Sequence, residues 1–246
     1  MINEETKRKL REMNLNDVID ILDVQQKDPL TLSLTFDERL QRIVDYAYQQ
    51  RNTKRIQNLI KSAKFRFPHA DMHSLDYVDR GFSKETVLEL LAGGFMETNT
   101  NIICQGYTGS GKTFLSCAIG KEICSHIKRV RYIRLPDLLV MHDDCHNLSS
   151  QHIERLLSKF SRYDLLILDE WLMEALTEAE KHFIFELIER RYDTGSTIFC
   201  TQYKQEDWLS RLGGDVHAEA ITDRIVHNAV WLNMGSRNMR ERNTRN

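Results

Sequence analysis

The sequence predicts an α/β fold, a parallel five-stranded sheet flanked by helices, with a small all-helical domain ahead of it. Three observations carry this. From residue 84 onward, short apolar runs alternate with stretches of helical spacing. Gly106–Thr113 reads G-x-x-x-x-G-K-T between an apolar run and a helical stretch. A further apolar run, 165–168, closes on the acidic pair Asp169-Glu170.

Taken in order, residues 4 to 26 place Leu10, Met13, Val18, Ile21 and Leu22 at roughly helical intervals. Thr35 followed three residues later by Glu38 reads as a helix start. The helix it opens carries Leu40, Ile43, Val44, Ala47, Tyr48, Ile56, Leu59 and Ile60 as a stripe. Residues 1–66 are therefore expected to form the helical domain. Phe67-Pro68 breaks it, and a polar linker over 67–83 leads into a second domain at 84–246. Strands are predicted at 101–105, 130–134, 165–169, 197–201 and 229–232, and helices at 112–126, 150–160, 177–192 and 217–228. Short buried strands alternating with helices imply a parallel sheet covered on both faces.

The octapeptide assigns the chemistry, that of a P-loop NTPase. Gly106, Tyr107, Thr108, Gly109, Ser110, Gly111, Lys112 and Thr113 form a phosphate cradle. Glycines let consecutive N–H groups converge on phosphate, and the following helix adds positive dipole. Lys112 reaches the β- and γ-phosphates, and the Thr113 hydroxyl ligates Mg²⁺. Asp169 is predicted to hold the metal through water, and Glu170 to polarise the attacking water as general base. The run at 197–201 is expected between the P-loop strand and the acidic one. Thr201 or Gln202 at its tip then hydrogen-bonds the γ-phosphate or the lytic water.

Bulk properties exclude other classes. The 246 residues are 41% hydrophobic and 28% charged, an ordinary globular composition. No apolar run approaches the roughly 18–20 residues that cross a bilayer, and MINEETKRKL is no secretory leader. Five cysteines without a C-x-x-C pair point to a reduced, cytoplasmic protein with no membrane partner. Cys117 and Cys124, seven apart on the helix after the P-loop, are read as core. The net charge of −2 hides a local field. Between Tyr46 and Ala70 there is no acid, while Arg51, Lys54, Arg55, Lys61, Lys64 and Arg66 are basic. Such a surface contacts phosphates with little sequence selectivity. His142-Asp143-Asp144-Cys145-His146 is read as a chance cluster on a polar linker, because no second cluster completes a zinc set.

The chain also resembles the IstB-like ATP-binding proteins. These are transposition helpers of insertion sequences, related to the DnaC helicase loaders within the AAA+ superfamily. RIQNLIKSAKFRFPHADMHSLDY, GYTGSGKTFLSCAIG, DLLILDEW, STIFCTQY and AITDRIVHNA carry the resemblance. It implies an AAA+ ATPase domain and an N-terminal domain that carries DNA, partner and oligomer contacts. It also implies that Arg224 is an arginine finger completing a neighbouring subunit's site, and that Arg240 is a sensor touching the γ-phosphate of its own subunit. A basic tail that binds DNA would place the same residue type at Arg240. Trp171 after the acidic pair departs from the family pattern, and either contacts a partner or packs at the strand mouth. The chain ends soon after Arg240, which leaves no room for a C-terminal lid domain.

The function implied is an ATP-dependent, Mg²⁺-requiring regulator of DNA transposition. It oligomerises on target duplex DNA, recruits or stimulates a cognate transposase, and is reset by hydrolysis. The alternative is a DnaC-like loader of a replicative helicase that favours single strands. A small-molecule P-loop kinase is disfavoured, because Glu170 beside Asp169, and Arg224 in its motif, suit hydrolysis between subunits.

Overall fold

A computed structural model of the chain describes residues 3–71, 81–146, 148–235 and 239. The chain divides into two compact units, Met1–Asn58 and Leu59–Asn246.

In the first unit, the helical spacing over 4 to about 26 is realised as two helices, α1 (Glu4–Glu12) and α2 (Asn16–Lys27). The break is at Asn14, whose φ of 57° is left-handed, a region that asparagine tolerates better than most residues. Asn3 caps α1 by accepting from Thr6 N–H at 2.8 Å. Asp28 caps the short α3 (Pro29–Leu32). α4 (Phe36–Ala63) opens where the sequence places it. Thr35 N–H donates to Glu38 Oε2 at 2.8 Å and Glu38 N–H donates to Thr35 Oγ1 at 3.3 Å, a reciprocal cap. Ile19 is this unit's one buried apolar residue among the described residues. Phe36, Leu40, Val44 and Tyr48 on α4 are exposed.

In the second unit, β1 (Asn101–Gln105), β2 (Val130–Arg134), β3 (Leu165–Asp169), β4 (Ser196–Thr201) and β5 (Ala229–Asn233) form one sheet, ordered β2-β3-β4-β1-β5. Every pairing is parallel. The expected five-stranded parallel architecture is the one observed, with β4 between β1 and β3. Leu165–Leu168 are completely buried, as the apolar run requires of a central strand covered on both faces. Burying each such side chain is worth about 1.5–3 kcal/mol.

Helices α5 (Lys84–Leu91), α6 (Lys112–Ser125), α7 (Leu135–His146), α8 (Ser150–Ser161), α9 (Glu178–Arg191), α10 (Gln205–Arg211) and α11 (Val216–Val226) flank the sheet. α7 corrects the expectation of a polar linker over the His142 cluster. Leu135, Leu138 and Leu139 bury one side of it, and His142 is itself buried, its ring 4.7 Å from Phe183. Cys117 and Cys124 are core residues, and burial pushes their thiols up to about 11 and about 12. The end of α4 also joins this core. Ala63 and Phe65 are buried in it, and Leu59 and Ile60 pack against it. Among the described residues no helix is long and apolar enough to cross a membrane.

Candidate nucleotide-binding site

The site forms at the C-terminal edge of the sheet, where ligands bind in open α/β folds. β1 ends at Gln105, the loop Gly106–Gly111 follows, and α6 begins at Lys112. Gly109 and Gly111 adopt φ of 84° and 91°, which side chains other than glycine rarely take. At Gly106 a Cβ would lie 2.8 Å from Met234 Cβ, so the close approach itself requires glycine. Lys112 Nζ donates to the Gly106 and Tyr107 carbonyls at 2.6 and 2.9 Å, folding over the loop. Met239 N–H donates to Gly109 O at 2.9 Å. Arg240 lies outside the described residues.

Asp169 joins the cradle to the acidic strand. Its Oδ2 accepts from Thr113 Oγ1 at 2.8 Å and from the Tyr132 hydroxyl at 2.7 Å, and its Oδ1 accepts from Glu170 N–H at 3.0 Å. Burial, together with the Asp169 charge and hydrogen bond, drives Tyr132 well above the usual phenol range, so it stays a donor. Glu170 has φ of 59° and Leu172 has φ of 57°, strained values for non-glycine residues. The turn they make inserts Trp171 into the core. The Trp171 backbone N–H donates to Cys200 O at 2.9 Å, and the indole ring packs edge-on against Phe199 and Trp208. Of the two readings of Trp171, packing at the strand mouth is the observed one.

The Glu170 carboxylate is held at both oxygens. Arg134 Nη2 donates to Oε2 at 2.7 Å and Arg66 Nη1 donates to Oε1 at 3.4 Å. Tyr132, Arg134 and this position of Arg66 were not foreseen from sequence. Arg134 and Asp169 are register partners across β2 and β3, which only the strand order reveals.

Thr201 and Gln202 separate. Thr201 is buried, its hydroxyl donating to Trp171 O at 3.2 Å and accepting from Tyr203 N–H at 3.1 Å. Gln202 is half-buried, and its amide donates to Met173 Sδ at 3.1 Å. Arg224 is not part of this chain's own cradle. It lines a crevice with Asn99, Asn101 and Thr197, at the N-terminal ends of β1 and β4. There it pairs with Glu189 and stacks 5.4 Å over Phe185.

Three of the six basic candidates are internally engaged. Lys54 pairs with Asp17 at 2.6 Å, Arg51 donates to Asn14 O at 3.3 Å, and Arg66 holds Glu170. Among the described residues no ion pair involves Arg55, Lys61 or Lys64, and all three are exposed.

The residues present fit a nucleotide triphosphate and Mg²⁺. Left-handed glycines, a helix N-terminus and Lys112 suit phosphate, and the Thr113 hydroxyl and Asp169 carboxylate are the oxygen ligands that Mg²⁺ prefers.

Comparison with known proteins agrees with ATP as the ligand. The model of the family described as IstB-like ATP binding protein matches residues 8–246. A Sinorhizobium fredii protein named for ATP binding in an insertion sequence is 29% identical over 98% of this chain and 96% of its own. One of Pseudomonas fluorescens, named likewise, is 32% identical over 82% of this chain and 87% of its own. Among solved structures, the DnaC helicase loader is similar at 21% identity with a TM-score of 0.58, over 68% of this chain and 97% of that one. DnaI aligns with a TM-score of 0.57 at 18% identity, over 70% of this chain and 90% of that one. These two likenesses speak for the fold alone. With the match running through cradle, acidic strand and helical region alike, the chain belongs to the family of IstB-like ATP-binding proteins.

Proposed function

We propose that this protein is a Mg²⁺-dependent ATPase of DNA transposition. It assembles with itself on duplex DNA, recruits or stimulates a transposase, and is reset by hydrolysis. The observation that carries the reading is the Thr113–Asp169 hydrogen bond beside Glu170, in a chain whose relatives are named for insertion sequences.

The roles follow from position. Lys112 neutralises the β- and γ-phosphates, while Thr113 and Asp169 hold Mg²⁺, which supplies charge stabilisation at the transferring phosphoryl group. Glu170 orients and deprotonates the attacking water. Gln202, half-buried where Thr201 is buried, is the better of the two candidates for reading the γ-phosphate. Thr201 is the one that shapes the strand end. Arg240, outside the described residues, keeps the γ-phosphate sensor role that the family resemblance implies.

Arg224 belongs to a shared site. It lies at the edge of the sheet opposite the cradle, so a nucleotide it serves is a neighbour's. An arginine supplied in this way stabilises the charge of the transition state. The exposed apolar residues of α4 support self-association or transposase contact through the helical unit. Arg55, Lys61 and Lys64, exposed and in no ion pair among the described residues, are the leading phosphate-binding candidates.

Sedimentation of the protein with a non-hydrolysable ATP analogue tests this reading. Large assemblies are expected on duplex DNA. Assemblies only on single strands would favour a helicase loader and sink the transposition reading. No assembly on either would remove DNA from the function.

A further inference from the structure

We infer that Arg66 is a positioning residue that holds Glu170 out of action until a nucleic-acid phosphate takes the arginine away. This rests on the proposed binding of duplex DNA and the proposed ATP hydrolysis, and adds the link between the basic segment and the chemistry.

The segment 64–66 is fixed by its alternation. Lys64 turns the chain with φ of 59°, Phe65 is buried, and Lys64 and Arg66 on either side of it are exposed. Phe65 sits against Gly120 in the middle of the P-loop helix, where a Cβ would lie 2.8 Å from Phe65 Cε1. The absence of a side chain at Gly120 therefore lets Phe65 anchor the segment on the helix that carries Lys112 and Thr113. The anchor delivers Arg66 to Glu170 Oε1 at 3.4 Å. The charges of Asp169 and Glu170 both favour the charged Arg66 guanidinium, so one cation of the basic segment acts on both acidic groups of the site.

The two arginines on Glu170 differ in kind. Arg134 belongs to the sheet and is close, at 2.7 Å. Arg66 lies on the segment after α4 and its contact is longer, at 3.4 Å, while the two side chains are similarly exposed, 46% and 40%. An exposed ion pair of that length is weak, and a phosphate gains counterion release when it takes an arginine. Duplex DNA bound along Lys61, Lys64 and Arg66 therefore competes with Glu170 for the same charge. Once Arg66 leaves, Oε1 is open to accept a hydrogen bond from the attacking water. Arg134 keeps the carboxylate near the cradle.

The test compares steady-state ATPase activity of the full-length wild type, Arg66→Ala and Arg66→Lys, each with and without a duplex oligonucleotide. Duplex binding is followed in parallel by fluorescence anisotropy. Arg66→Ala is expected to raise kcat without DNA roughly three- to five-fold, the range an exposed ion pair supports. KM for ATP should stay unchanged, and duplex should add little further rate. Arg66→Lys, which keeps the charge without the fork, should fall between Arg66→Ala and wild type. An unchanged or lower kcat in Arg66→Ala, with the duplex stimulation of wild type retained, would overturn the inference. Wild type that binds no duplex would instead refute the DNA-binding reading. A raised kcat in Arg66→Ala would then still identify the restraint, and an unraised one would remove both. Should Arg66→Ala lower the melting temperature, Arg66→Gln gives the same comparison with the side-chain length largely kept.

Discussion

Thr113 Oγ1 donates to Asp169 Oδ2 at 2.8 Å, closing the space between the start of α6 and the end of β3. The Tyr132 hydroxyl reaches the same oxygen at 2.7 Å. The proposed metal ligands are thus held by direct bonds between two elements and a third strand. Asp169→Asn keeps volume and shape while removing the charge. It is expected to abolish the dependence of nucleotide binding on Mg²⁺ and to cut hydrolysis by about two orders of magnitude or more. Titration of a fluorescent ATP analogue with Mg²⁺ or with EDTA checks this. A Mg²⁺ effect of wild-type size in the variant would remove Asp169 from the metal site.

Glu170→Gln separates binding from turnover. The amide accepts hydrogen bonds but does not take a proton, so hydrolysis should fall roughly 10²- to 10⁴-fold. ATP affinity should stay near wild type, since Lys112 and the loop N–H groups are untouched. The variant should then persist on duplex DNA with ATP present, seen as slow dissociation in anisotropy. Turnover at the wild-type rate would assign the general base elsewhere.

The cradle and the acidic strand were legible because each is contiguous. G-x-x-x-x-G-K-T and LLILDE carry their chemistry within eight residues and their burial within one strand. What was not legible depends on pairings between distant segments. Arg66 reads as one more cation in a basic run, and its partner Glu170 lies more than a hundred residues on. Arg134 closes an ordinary apolar strand until the β2–β3 register sets it beside Asp169. α7 was hidden because its visible polar cluster, His142 to His146, masked the leucines that bury its start. Asn14 divided the first helix through a left-handed backbone that no apolar spacing announces. Between Thr201 and Gln202, only the turn that buries Trp171 distinguishes the core residue from the one at the surface.

Arg191 is the buried charge on which the β3–β4 end of the sheet closes. Its guanidinium donates to Thr197 Oγ1 at 2.9 Å and to the carbonyls of Tyr163 at 2.8 Å and Ser196 at 2.5 Å, with longer bonds to Phe160 and Ser161. Burial brings it down to about 10, which still leaves it charged at neutral pH. Arg191→Met would leave those acceptors without a donor in the core. A loss of about 3 kcal/mol or more is expected, a fall in melting temperature of roughly 6–12 °C. Thermal unfolding by circular dichroism measures it, and a fall under about 2 °C would mean that water replaces the arginine.

Arg224 tests whether the site is shared. In its own subunit the guanidinium pairs with Glu189 on α9, and Glu189 does not belong to the cradle. Arg224→Ala removes an exposed-side pair, so the fold should hold within about 1 kcal/mol. ATP binding should also persist, because the variant keeps its cradle and metal ligands. Hydrolysis should fall by about 10³-fold, the scale on which a supplied arginine acts. The decisive measurement mixes Arg224→Ala with Glu170→Gln. Each variant alone is expected to hydrolyse ATP only at its residual rate. Where an intact Glu170 in one subunit meets an intact Arg224 from its neighbour, a complete site forms and activity returns. Mixing at equal amounts should therefore restore a clear fraction of wild-type turnover. Two variants that stay at their residual rates together, while still co-assembling on DNA, would show that Arg224 does not act across the subunit boundary.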